Sequence, residues 1–273
     1  MRKIDRLGWA AGFVFSSYGV RVGLRASDPA AIEMLKERLP PGWKPSSASR
    51  VEKLYSLLVG KSSKPGVRRF HLLYGDIIRL ARTVNLEEAL DAFESDLHLY
   101  IAEAARRRVF IHAGVVGWRG QAILIPGRSY SGKTTLVAEL VRRGATYYSD
   151  EYAVMDERGR VHPFPRPLQI REGEQARQKK YGVEEFGGRV GRKPLPVGLV
   201  VVSRYKTSAR WRPRSLSAGQ GVLELLANTV SARSRPEAAL HALHKAVRGT
   251  PIIKGSRGEA AEVAARLLAE LDS

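Results

Sequence analysis

The sequence predicts an α/β protein, α+β when the whole chain is counted, in which a small α+β module precedes a nucleotide-binding core. Three observations support this fold class. Apolar residues alternate loosely over residues 12–25, as in strands near the amino terminus. A short apolar run over residues 122–125 indicates a buried strand that leads directly into a glycine-rich loop. After the loop, four apolar residues recur on one helical face: Leu136, Val137, Leu140 and Val141.

The composition is that of a globular protein. Its 273 residues suit one large domain or two modest ones, and 44% of them are hydrophobic. No run of apolar residues is long enough to cross a membrane, so no membrane span is expected. The basic start lacks a clear cleavage site, and we therefore expect a cytoplasmic protein. The absence of cysteine excludes disulfides, thiolate metal sites and a cysteine nucleophile.

The chain is strongly basic, with 46 Lys or Arg against 27 Asp or Glu and a formal net charge of +19. Such a charge attracts polyanions, which include nucleotides, nucleic acid, anionic lipid and acidic proteins. Residues 166–214 alone hold 13 Lys or Arg against 4 Asp or Glu. This clustering fits an acidic partner or a phosphate clamp, and equally a solvated basic surface. Nucleic acid is a secondary expectation because no RNP-type motif or zinc finger is present.

The first half of the chain is predicted to form a small α+β module over residues 1–84. Asp28 and Pro29 mark the start of its helix, and residues 51–58 and 67–74 indicate further strands. A long amphipathic helix over residues 85–108 is predicted to link or pack the two halves, with Glu88 at its third position.

Residues 109–273 are predicted to form the nucleotide-binding core. They open with a hairpin-like pair over residues 109–126, and a strand-like stretch follows over residues 145–156. Residues 197–205 read as a second buried strand. Three amphipathic helices are expected to end the chain, near residues 217–231, 236–248 and 257–271.

The glycine-rich loop has the sequence GRSYSGKTT and fits the phosphate-binding pattern G-x-x-x-x-G-K-[ST]. Backbone N–H groups at the start of a helix favour phosphate oxygens, and the predicted order of strand, loop and helix supplies them. Lys133 would lie along the β and γ phosphates, and the Thr134 hydroxyl would bind Mg²⁺. Arg128 adds charge there, unless it faces solvent. The predicted nucleotide-binding residues are Gly127, Arg128, Ser129, Tyr130, Ser131, Gly132, Lys133, Thr134 and Thr135.

Phosphoryl transfer also needs an acidic group, to hold the metal or to accept a proton. The buried strand over residues 197–205 ends without a carboxylate. Asp150 and Glu151 are therefore the candidates, although the residues alone favour surface carboxylates. Adjacent side chains on a strand face opposite ways, so a bulge would be needed to bring both to the phosphates.

Residues 112–171 resemble the bacterial HPr kinase/phosphorylase family, whose fold is similar to the nucleotide-binding core of phosphoenolpyruvate carboxykinase. The shared features are the histidine of HAGVVGWRG, the loop GRSYSGKTT, the RRG that follows its helix, and the acids of SDEY. The resemblance implies an HPr kinase-like P-loop core with a mixed sheet. It also implies catalytic roles for His112, Lys133, Asp150 and Glu151, with Mg²⁺ held by Thr134 and Asp150.

The chain departs from the family pattern at two places. Glu151 stands where the family has a second aspartate, which lengthens the reach of the carboxylate. In LQIREGE, Arg171 matches the family and is a candidate phosphate or acceptor contact, but Gln169 replaces an acid. Because that segment is tied to the phosphorylase activity, the replacement argues against the reverse reaction.

These observations together predict an ATP- and Mg²⁺-dependent kinase that transfers the γ-phosphoryl group to a hydroxyl, such as a serine of a protein or peptide. The N-terminal module would recognise the acceptor. One alternative is a small-molecule kinase, for example one acting on free serine. Another is a nucleotide-dependent module that binds a polyanionic partner and transfers nothing. Members of the family form oligomers, so a homo-oligomer is a further expectation from the resemblance.

Overall fold

The computed structural model describes residues 3–60, 69–127, 131–172 and 177–271, and for residues 171–172 and 177–178 it describes the backbone alone. The chain forms two compact units, Met1–Arg106 and Arg107–Ser273. It mixes helices with mixed sheets and is an α/β protein. No helix in the described ranges is long and apolar enough to cross a membrane.

The first unit is built on a six-stranded sheet with the order β3-β1-β2-β4-β5-β6. The predicted strands over residues 51–58 and 67–74 correspond to β4 and β5, and residues 67 and 68 lie outside the described residues. Asp28 caps the first helix by accepting a hydrogen bond from Ala30 N at 3.1 Å. The elements are β1 (Ala11–Ser17), β2 (Val20–Ala26), α1 (Pro29–Lys36), β3 (Lys44–Pro45), β4 (Lys53–Leu58), β5 (His71–Gly75) and β6 (Ile78–Thr83).

The long helix α2 (Leu86–Ala104) belongs to this first unit, since the division of the chain falls after Arg106. Asn85 caps it through a hydrogen bond from Glu87 N. Its buried face packs on β5 and β6. The side chains of that face include Leu90, Phe93, Leu97 and Ile101.

The second unit is built on a mixed sheet with the order β11-β10-β7-β8-β14-β16-β15, and β9 also pairs with β7. The predicted hairpin is present as β7 and β8. β8, β14 and β16 run parallel to one another. The strands are β7 (Val109–Trp118), β8 (Gln121–Pro126), β9 (Thr146–Ser149), β10 (Tyr152–Met155), β11 (Val161–His162), β14 (Val197–Tyr205), β15 (Arg214–Ser215) and β16 (Ile252–Arg257), with β12 (Leu168–Glu172) and β13 (Arg177–Tyr181) as a separate hairpin.

Helices cover both faces of this sheet. The helices α3 (Lys133–Arg142) and α6 (Ala260–Ala269) pack together on one face, over Ile123, Ile125 and Val201. The helices α4 (Ala218–Leu226) and α5 (Pro236–Val247) pack on the other face, over Leu124 and Val200. Because β8, β14 and β16 are parallel, their carboxyl ends meet at one edge of the sheet, where ligands bind in open α/β sheets.

Three predicted elements differ from the structure. The first of the three carboxyl-terminal helices, predicted near residues 217–231, ends at Leu226. The predicted strand over residues 145–156 is divided into β9 and β10, because Ser149 Oγ accepts hydrogen bonds from the backbone N–H groups of Glu151 and Tyr152. The predicted third helix of the carboxyl terminus begins only at Ala260. Residues 252–257 instead form β16, which lies parallel to β14.

Candidate functional site

The glycine-rich loop leaves the carboxyl end of β8 and enters α3. Gly127 N donates a hydrogen bond to His112 O at 3.1 Å, which ties the start of the loop to β7. Gly132, immediately before α3, has a φ of +80°, a conformation that favours glycine. Strand, loop and helix therefore follow one another as predicted, while Arg128, Ser129 and Tyr130 lie outside the described residues. Ser131 Oγ is buried and makes no hydrogen bond to any described residue.

Asp150 and Thr134 meet at the amino-terminal end of α3. Thr134 Oγ1 donates a hydrogen bond to Asp150 Oδ2 at 3.1 Å. Adjacent oxygen ligands of an octahedral Mg²⁺, each about 2.0–2.1 Å from the metal, lie about 2.9 Å apart. The two oxygens are thus spaced as neighbouring ligands of Mg²⁺ would be, and a single carboxylate beside a phosphate-binding loop is a donor set that Mg²⁺ commonly takes.

Asp150 is buried, with only 8% of its surface exposed. Burial raises the pKa of this carboxyl group, and hydrogen bonds from Tyr147 and Thr134 oppose that rise. The Tyr147 hydroxyl lies 3.0 Å from Asp150 Oδ1 and 2.8 Å from Arg166 O, and its single hydrogen can serve one of them at a time. The neighbouring hydrogen-bond donors offset only part of the free-energy cost of burying this carboxylate. A bound cation would stabilise its charge.

Glu151 lies in a different environment from its neighbour. Its carboxylate forms an ion pair with Arg166, whose side chain is largely buried. The register of β9 on β7 shifts at Tyr148, and the two acids follow that irregularity in the bend between β9 and β10. Asp150 thus accepts a hydrogen bond from Thr134 while Glu151 pairs with Arg166, whose charge also opposes the rise in the pKa of Asp150.

Lys133 is half-buried at the start of α3. Burial lowers the pKa of its ammonium group, and the charge of Asp150 opposes that change. The approach of α3 to β7 depends on Gly114, because a Cβ at this position would lie 2.5 Å from Val137 Cγ2 and 3.9 Å from Lys133 Cβ. The absence of a side chain at Gly114 therefore lets α3 carry Lys133 close to the strand that holds His112.

His112 lies on β7, opposite Tyr152 of β10. Its ring centroid is 4.8 Å from that of Tyr152. Burial lowers the pKa of His112, and the positive charge of Lys133 lowers it further. The imidazole is consequently neutral at pH 7, which suits it to hydrogen bonding with a ligand rather than to ion pairing.

The structure adds Arg257, which the sequence reasoning missed. It ends β16 and is 2% exposed. Its Nη2 donates to Gly132 O at 2.7 Å and its Nη1 to Gly258 O at 3.0 Å, while its Nε is buried without a hydrogen-bond partner among the described residues. Burial lowers the pKa of this guanidinium. Arg257 thus fixes Gly132 at the end of the glycine-rich loop, where a buried cation would favour a bound anion.

Arg166 was also missed, because it lies in a proline-rich stretch without a recognisable pattern. The local signal for Arg257 was a short apolar run, residues 251–253, followed by Lys254 and then a Gly-Ser-Arg-Gly stretch. Of the other predicted residues, Thr135 lies in the first turn of α3. The backbone of Arg171 pairs with Gln178 in the hairpin of β12 and β13, and its side chain lies outside the described part of the chain.

No protein-family model and no curated protein matches this chain. Its function is therefore inferred from the residues of the site and from the motif they form.

The contact between Arg257 and Gly132 gives a first prediction. In Gly132→Ala, the new methyl group would lie 2.5 Å from Arg257 Nη2, and alanine would have to adopt a φ of +80°. We expect this variant to lose nucleotide affinity and to be destabilised by more than the roughly 1–2 kcal/mol that the backbone conformation alone costs. Thermal unfolding and titration with a fluorescent ATP analogue measure the two effects.

Gly120→Ala is the matched control. Gly120 has the same φ of +80°, but a Cβ there would meet no atom within 4 Å. We expect Gly120→Ala to lower the unfolding free energy only by the roughly 1–2 kcal/mol that the backbone conformation costs, and to keep the nucleotide affinity of the wild type. Equal nucleotide affinity in the two variants would contradict a role for the Arg257–Gly132 contact in phosphate binding.

Proposed function

We propose that this protein is an ATP- and Mg²⁺-dependent kinase with an HPr kinase-like core, which transfers the γ-phosphoryl group to a hydroxyl of a protein or peptide serine. The observation that supports this most directly is the contact of Thr134 Oγ1 with Oδ2 of the buried Asp150, 3.1 Å apart at the end of the glycine-rich loop. A loop that only held phosphate would not need a buried carboxylate at this position, because a carboxylate repels phosphate unless a cation lies between them.

In this proposal the residues of the site have separate roles. Lys133 and the backbone N–H groups at the start of α3 bind the triphosphate. Thr134 and Asp150 hold the metal. When bound, Mg²⁺ neutralises charge on the β and γ phosphates. Arg257 fixes Gly132 and with it the shape of the loop, and neutral His112 is placed to donate a hydrogen bond near the transferred group.

In the transfer step, Glu151 is the general base that accepts the proton of the acceptor hydroxyl. The acceptor hydroxyl oxygen bonds to the γ-phosphorus, and the bond from that phosphorus to the bridging oxygen breaks, leaving its electron pair on ADP. The hydroxyl proton passes to the Glu151 carboxylate. Glu151 pairs with Arg166 while Asp150 accepts a hydrogen bond from Thr134, so the two carboxylates take separate roles in this proposal.

The test is transfer of label from γ-labelled ATP by the purified full-length protein with Mg²⁺. Three acceptors are offered: an acidic serine peptide, a cell lysate and free serine. Label in the peptide or in lysate proteins supports the proposal, whereas label in free serine alone would make the protein a small-molecule kinase. Tight ATP binding without transfer to any of the three would refute the kinase and favour a nucleotide-dependent binding module.

A further inference from the structure

A basic loop lies beside the phosphate loop and has no role in the site described above. We define it as residues 204–214, which comprise the last two residues of β14, the connection to β15 and the first residue of β15. It holds five Lys or Arg residues and no Asp or Glu. All five cations are exposed. Within the described part of the chain, none of them forms an ion pair. These residues are Arg204, Lys206, Arg210, Arg212 and Arg214.

The basic loop begins at the carboxyl end of β14, next to the phosphate loop. A Cβ built on Gly132 would lie 3.6 Å from Tyr205 Cβ. The guanidinium of Arg257, which holds Gly132, lies 5.6 Å from the centroid of the Tyr205 ring, and Lys206 N donates to Arg257 O at 2.9 Å. The first two cations of the loop, Arg204 and Lys206, therefore flank a residue that lies against the last glycine of the glycine-rich loop.

The basic loop is anchored along its length. Trp211 is only 7% exposed and is buried among residues of α6 and β16. Its carbonyl oxygen accepts a hydrogen bond from Arg266 Nη1 at 3.4 Å. The neighbours of Trp211 in the sequence, Arg210 and Arg212, are both exposed. The buried tryptophan thus fixes the backbone while the cations on either side of it face solvent.

We propose that the basic loop is the docking surface for an acidic segment of the protein acceptor. Five cations without an ion-pair partner among the described residues attract a chain of carboxylates. The first two of them flank Tyr205, which lies against Gly132 of the glycine-rich loop. This inference rests on the proposed kinase function, which identifies the partner as the phosphoryl acceptor. The binding itself does not depend on catalysis.

The same observations disfavour nucleic acid as the occupant. Single-stranded nucleic acid is bound through exposed aromatic rings on which bases stack. Of the two aromatic residues of this loop, Trp211 is buried, and Tyr205, which is 43% exposed, has its ring against the Arg257 guanidinium and donates its hydroxyl to Glu259. The major groove of a duplex accepts a protruding helix or a two-stranded ribbon. The basic loop is neither, because its anchors hold it against α6 and β16.

The test compares two double variants of the full-length protein that remove equal charge. Arg210→Gln with Arg212→Gln removes two cations of the basic loop and leaves Trp211 in place. Lys245→Gln with Arg248→Gln removes two exposed cations at the carboxyl-terminal end of α5. That end precedes β16 and therefore lies at the opposite edge of the sheet from the phosphate loop.

Binding is measured by fluorescence anisotropy without nucleotide, using a labelled peptide of alternating glutamate and serine. We expect the loop variant to bind it roughly three- to tenfold more weakly than the wild type, the α5 variant to bind it normally, and added salt to weaken binding by the wild type. The same peptide with glutamine in place of glutamate should not bind.

Two results would overturn the proposal. One is equal binding of the glutamate peptide by the wild type and the loop variant. The other is binding of single-stranded RNA that depends on the basic loop while the peptide fails to bind, which would make the loop a nucleic-acid surface. Since ATP binding is measured separately on the same variants, loss of peptide binding with intact ATP binding leaves the kinase proposal standing.

Discussion

Lys133→Ala is expected to lower kcat/KM for phosphoryl transfer by about 10²–10³-fold, the range found when one preorganised group that stabilises transition-state charge is removed. Lys133 is half-buried at the start of α3, where its charge is less screened than on the surface. No other described lysine occupies this position on the phosphate loop. Steady-state rates with γ-labelled ATP measure the effect.

Lys245→Ala is the control for this substitution. Lys245 is exposed on α5, so its loss should leave the transfer rate unchanged. Both variants should unfold at temperatures close to that of the wild type. Normal turnover by Lys133→Ala would show that the glycine-rich loop takes no part in catalysis and would refute the kinase proposal.

Asp150→Asn is expected to reduce transfer by about 10²–10³-fold and to raise the Mg²⁺ concentration needed for half-maximal rate. The amide retains the shape of the side chain and can accept the hydrogen bond from Thr134, but it lacks the charge that holds the metal. The control is Asp156→Asn at the turn after β10, where the carboxylate pairs with His162 at 2.9 Å. This control should keep the rate and the Mg²⁺ dependence of the wild type.

The stability of Asp150→Asn supplies a second measurement that needs no activity. Because burial raises the pKa of Asp150 above its ordinary value of 3.8, the folded protein binds more protons than the unfolded chain at pH values just above 3.8. The unfolding free energy of the metal-free protein should therefore fall as pH rises from 3.8 through the folded pKa, and this fall should be smaller in Asp150→Asn. If the unfolding free energy depended on pH in the same way in the wild type and in Asp150→Asn, this would contradict a raised pKa of the buried Asp150 carboxyl group.

Local sequence signals determined the elements around the phosphate loop. The apolar run before Gly127, the glycines at both ends of the loop and the helical spacing after it each depend on near neighbours in the chain. The sequence also predicted the starts of α1 and α2, because capping residues act on N–H groups only two or three residues away. The α/β class followed from these elements.

Tertiary structure alone decided what surrounds the loop. Arg257 reaches Gly132 across 125 positions of sequence because β16 lies beside β14 in the sheet. The residues of β16 were not recognised as a strand, since only their pairing with β14 identifies them. The pairing of Glu151 with Arg166 likewise depends on a bend that Ser149 stabilises through its own hydrogen bonds.

The sequence by itself thus determined the order of strand, glycine-rich loop and helix and the acids that follow it, because those features are set by backbone conformation over a few residues. Only the tertiary structure separated Asp150 from Glu151 and placed Arg257 and the basic loop at the same edge of the sheet. The physical reason is that parallel strands bring together residues far apart in the chain, and the burial and charge of each group depend on those distant neighbours.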